Sequence, residues 1–147
     1  MESNVKNQVI LFLVMFLVAL FLNPMNILAY SFNHLYLSTT LILTSAYMAS
    51  TMVWSHQIVH YFQMGHFSKK TFLIGIGMSL LFFILLRTQI IVSPKQWLRR
   101  MIPHHSTALT TTTKLLENAK VDDKTFRLAK DIILTQQKEI DFMKSLL

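Results

Sequence analysis

The chain has 147 residues, of which 52% are apolar and only 14% charged, with a mean hydropathy of +0.43 and a net charge of +7. Soluble domains carry about 25% charged residues, so this balance argues against an ordinary soluble enzyme and against a disordered tail. Cysteine is absent, which excludes disulfides, thiolate zinc sites and cysteine nucleophiles. The charge is also unevenly spread. Only Glu2, Lys6, Lys69, Lys70 and Arg87 precede Pro94; the other ten basic and six acidic residues follow it. The expected organisation is all-α: a membrane domain over residues 1–92, then a C-terminal helical domain over residues 93–147.

A helix needs about 20 apolar residues to cross the hydrocarbon core. Three stretches are read as spans, at residues 9–30, 37–61 and 71–92. The first has no charge, and Asn23-Pro24 interrupts it. A secretory signal peptide is the alternative there, but no clear small-x-small cleavage site follows. The second is also free of charge and rich in Ser and Thr, which let membrane helices approach closely. Trp54 and Tyr61 suit an interfacial belt at its far end. A short basic loop, Gly65-His66-Phe67-Ser68-Lys69-Lys70, leads to the third span, where Arg87 near the end can anchor to headgroups. Positive charge is nearly balanced between the two sides, so it does not by itself fix the orientation. An odd number of spans puts the termini on opposite sides, and the C-terminal domain is expected on the extracytoplasmic side.

The back part is predicted to be a helical hairpin. Ser93 fits an N-cap, Pro94 fits N1 and Gln96 fits the capping-box position. This helix is expected to reach about Asn118, and Asp122 is the candidate cap of the next. Leu98, Met101, His105, Ala108, Thr112, Leu115 and Ala119 step by three and four. Phe126, Ala129, Ile133, Gln136, Ile140, Met143 and Leu147 do the same. Folding the two helices back pairs Met101 with Met143 and His105 with Ile140. His104 lies one residue off this seam, and Pro103 removes one helical hydrogen bond beside it. Two such helices make a weak core alone. The expected partner is a second copy completing a four-helix bundle, so a homo-oligomer; the membrane part is the alternative.

Met101-Ile102-Pro103-His104-His105-Ser106-Thr107-Ala108 is the most specific stretch, and Leu128-Ala129, Gln136-Gln137, Glu139-Ile140-Asp141 and Met143-Lys144 agree with it. Together these resemble the domain of unknown function 305 family, and most closely its membrane-anchored members, in which an Arg-x-Gln element precedes the paired-histidine helix. Here Arg87-Thr88-Gln89 stands at that place. The resemblance implies a ferritin-like helical fold and an association with copper and silver handling in bacteria. One departure stands out: where relatives often carry a methionine after the histidine pair, this chain has Thr110-Thr111-Thr112-Thr113.

Thioethers and imidazoles suit Cu(I) and Ag(I). Met101, His105 and Met143 meet by the seam argument, with His104 as a fourth donor, so these four are the candidate metal ligands. The competing reading is that methionine fills core gaps and a buried histidine finds a polar partner. A weaker candidate is the stripe Met48, Met52, His56, His60 and Met64, which recurs every four residues along the second span. No Glu-x-x-His pair, Gly-rich phosphate loop or catalytic acid pair is present. Interleaved charges on the hairpin read as a solvated face and not as a nucleic-acid groove.

The expected function is therefore a non-enzymatic membrane protein that binds copper(I) or silver(I), for sequestration or relay. The alternatives are a scaffold whose histidine pair is structural, and a metal transporter through the second span. Membrane lipid and a second copy are the expected partners; no nucleic acid is expected.

Overall fold

Every regular element in the computed structural model, which describes residues 5–147, is a helix. In chain order these are α1 (Val5–Phe21), α2 (Pro24–Ile27), a short 3-10 helix (Phe32–His34), α3 (Thr39–Met64), α4 (Lys69–Thr88), α5 (Pro94–Asn118) and α6 (Asp123–Ser145). They form two compact units. One holds the described residues through Leu22 together with Thr40–Val92; the other holds Asn23–Thr39 and Ser93–Leu147. Sequence patterning assigned residues 23–39 to the membrane domain, whereas they pack with the C-terminal hairpin.

In the first unit, α3 and α4 run antiparallel. Tyr47 meets the Phe83 ring at 6.4 Å, and Trp54 meets Phe72 edge-on at 6.4 Å. The close approach depends on Gly75: a Cβ there would lie 2.9 Å from Trp54 Cβ and 3.0 Å from its backbone nitrogen. Small residues at such crossings let backbones come together. α1 joins through Gln8, whose Nε2 lies 3.4 Å from His56 Nδ1.

Among the described residues, two stretches are long and apolar enough to cross a membrane, Val5–Ile27 and Lys69–Thr88. This corrects the expectation of three on hydropathy alone. α3 has the length, at 26 residues, but its Ser, Thr, His and Gln side chains dilute its apolar character. Several of those polar groups are turned inward, and among the described residues Gln57 Nε2 is buried without a hydrogen-bond partner. Ser45, Ser50 and Gln57 are buried, and the Ser45 and Ser50 hydroxyls donate to the carbonyls of Leu41 and Ala46 one turn back. The other boundaries also shift for local reasons. α1 stops at Phe21, because Asn23 caps α2, its Oδ1 accepting from Asn26 N–H at 3.0 Å, with Pro24 at the first helical turn. α4 stops at Thr88, because Gln89 takes a left-handed conformation, φ 53°.

The second unit is the predicted hairpin with an addition. Ser93 caps α5 and Asp122 caps α6, the latter accepting from Lys124 and Thr125 N–H at 2.9 and 3.1 Å. α5 runs unbroken through Pro103. Ile102, Leu109, Ile140 and Met143 form the core, flanked by Leu98, Met101, Ile133, Leu147 and Tyr36. The α6 seam is as predicted from Ala129 onward, with Phe126 exposed. The deepest ridge of α5 is Ile102, Ser106 and Leu109, one residue round from the predicted Met101, His105 and Ala108. The reason is that α5 is covered from two directions, by α6 and by residues 23–39.

Candidate functional site

The histidine pair occupies the middle of α5, on the turn where the helix meets both neighbours. Met101 packs against the cluster that contains Met143. Thioethers from two helices thus share one apolar core, as the heptad spacing predicts. His105 is one turn further along and half-buried. Its Nδ1 lies 2.9 Å from Glu139 Oε2, but off the direction a ring N–H takes, so it has no directed hydrogen bond. His104 is more exposed, with its ring 5.9 Å from that of His105 and edge-on to it. Partial desolvation, then His105 and Arg100, lower its pKa below the ordinary 6.5. A neutral imidazole is the form that binds metals.

Met101 and Met143 belong to one apolar core, and His105 stands one turn along α5 from Met101. Among the described residues, no group of three or more His, Asp or Glu side chains forms a metal site. In the threonine run, the Thr111 hydroxyl donates to the Thr107 carbonyl at 3.0 Å.

Sequence reasoning missed the polar contact that holds this turn in place. Ser106 is fully buried. Its Oγ accepts from Tyr30 N–H at 2.8 Å and lies 2.9 Å from His34 Nδ1. His34 is itself buried, and burial, with Lys144 next, lowers its pKa while Asp141 opposes the shift. Nearby, Arg100 Nη1 lies 2.9 Å from Met25 Sδ. Gln96, assigned to a capping box, instead accepts from Thr39 N–H at 3.0 Å through its side chain. All four contacts reach residues 23–39, which carry no hydrophobic period that would foretell them.

The weaker methionine and histidine stripe stays on α3. Met48 and Met64 are exposed, and Met52, His56 and His60 are half-buried. The His56 and His60 rings are 5.9 Å apart, and His60 Nδ1 lies 3.1 Å from the His66 carbonyl oxygen.

Residues 88–147 match the family model described as Domain of unknown function (DUF305). Over 145 residues the chain is 33% identical to the "Uncharacterized protein L153" of Acanthamoeba polyphaga mimivirus, covering 97% of this chain and 92% of that protein. No solved structure matches the chain.

Proposed function

The chain belongs to the DUF305 family through residues 88–147, and on that premise we propose that it is a multi-pass membrane protein whose C-terminal hairpin binds copper(I) or silver(I), for sequestration or relay. The observation that carries the metal reading is the shared core of Met101 and Met143 beside a half-buried His105. Thioether and imidazole donors suit a soft monovalent ion. Met101, Met143 and His105 would hold it and His104 would close the set. A bound copper(I) or silver(I) ion would act there as a soft Lewis acid held by thioether and imidazole donors.

The membrane reading gains support from the second unit. Residues 23–39 and 93–147 belong to one compact unit, so they lie on one side of any bilayer the chain crosses. α3 and α4 then both cross or neither does. With α4 apolar enough to cross, α3 is proposed to cross beside it, and the Ser45 and Ser50 hydroxyls, bonded to its own backbone, support that reading. Three crossings put the C-terminal unit on the extracytoplasmic side when the N-terminus is cytoplasmic. Self-association through the exposed Leu128 and Phe142 of α6 supplies the homo-oligomer.

Cu(I) competition with a chromogenic chelator, on detergent-purified protein, tests the metal reading. The wild type is expected to withdraw Cu(I). The variants His104→Ala/His105→Ala and Met101→Leu/Met143→Leu should lose that ability while keeping their helical content. Equal competition by all three proteins would sink it. The Glu139 contact of His105 favours a second reading, a scaffold in which the histidine pair is structural. In that case no Cu(I) is bound and the oligomeric state is identical with and without chelator.

A further inference from the structure

The first unit contains a groove of about 400 Å³ between α1, α3 and α4, within the range of roughly 300–1,000 Å³ usual for small-molecule sites. Val9, Phe12, Val53, Ile74 and Met78 line its length. Its polar groups, Gln8, Lys70 and Thr71, belong to the first turns of α1 and α4, so the groove is polar at one end and apolar below. From Lys70 to Met78 a helix rises about 12 Å, close to the ~15 Å that is half of a hydrocarbon core.

Among the described residues of this unit, Lys70 has no carboxylate to meet. Residues 5–92 contain no Asp or Glu, so nothing in the described part of this unit can neutralise it. An apolar channel one leaflet deep, with an uncompensated ammonium at its mouth, matches an acyl chain below an anionic headgroup. We propose that this groove is a binding site for one anionic phospholipid of the bilayer, with its phosphate at Lys70 and Thr71 and an acyl chain along Phe12, Ile74 and Met78. The inference rests on the membrane reading of α1 and α4. It is independent of metal binding.

The test uses the full chain in nanodiscs of dioleoylphosphatidylcholine containing dioleoylphosphatidylglycerol, released into native mass spectrometry. The wild type is expected to retain one phosphatidylglycerol per chain in preference to phosphatidylcholine. Lys70→Gln should lower that preference about fivefold, the scale of one basic residue at an anionic surface. Lys69→Gln removes the same charge one residue away, at a position that does not line the groove, and should leave the preference intact. Ile74→Trp fills the channel and should reduce retention of both lipids; circular dichroism checks that its helices persist. Equal loss in the Lys69 and Lys70 variants, or no headgroup preference in the wild type, would overturn the site. Release of the chain from membranes by alkaline carbonate would overturn the membrane reading, and the site with it.

Discussion

Ser106 shows how much one buried hydroxyl can organise. It serves two partners from residues 23–39, the Tyr30 amide and the His34 imidazole. Replacing it with alanine strands the buried His34 ring nitrogen and removes the partner of the part-buried Tyr30 N–H. That costs about 1–3 kcal/mol for each group stranded, so Ser106→Ala should lower the thermal midpoint of the second unit clearly, as read by circular dichroism. His34 gives the same turn a pH dependence. Burial and Lys144 hold its folded pKa below the ordinary 6.5, so the unfolded chain takes up its proton first as pH falls. The stability contributed by the neutral ring is complete above about pH 6.5 and is lost as pH falls through the folded pKa. Melting at pH 7.5 and 5.5 should show a drop that shrinks in His34→Gln; an unchanged drop would assign it to other groups. His104 shifts in the same direction and accounts for part of what remains.

At the scale of elements, the hairpin was legible because its signals are local. Ser93, Pro94 and Asp122 mark helix starts by chemistry that acts within three residues. The step of three and four located the α6 seam correctly. It misplaced the deepest ridge of α5 by one residue, because periodicity assumes one partner face and α5 has two. α3 is legible as a helix and reads as a span by its lack of charge, whereas its Ser, Thr, His and Gln side chains keep its hydropathy below that of a candidate span. The α3–α4 crossing was not legible, because a glycine in an apolar run does not announce what it faces. Gly75→Leu is expected to force the helices apart at Trp54, at a cost of about 1–3 kcal/mol from overpacking. Its signature would be a changed Trp54 fluorescence and a lower melting temperature, while Gly77→Leu, with open space around it, changes neither.

For the whole molecule, the lesson is that order along the chain and membership of a unit are different things. The composition change near Pro94 divides the sequence at one point, but the second unit takes in residues 23–39 from the apolar half. Those residues were read as the end of one span, a loop and the start of another, because their contacts lie more than fifty residues away. The place of Met101 and Met143 at the hairpin core was legible from the helical step, and the contacts that residues 23–39 make with α5 were not. A fragment of residues 93–147 alone uncovers Ile102 and Ser106, so it should be less helical and melt at a lower temperature than the same residues in the full chain. Equal melting would mean that the hairpin stands by itself.

The bond between His34 and Ser106 joins positions 72 residues apart, and this sets a schedule for making the protein. At synthesis rates of about 5–20 residues per second, roughly 4–14 s pass between the appearance of the two residues. Through that interval the Asn23–Thr39 stretch has already been made but lacks the helix that will cover it. Its histidine is then an ordinary, solvated base. The stretch is thus first a free peptide, open to a chaperone or a protease, and only later part of a folded unit.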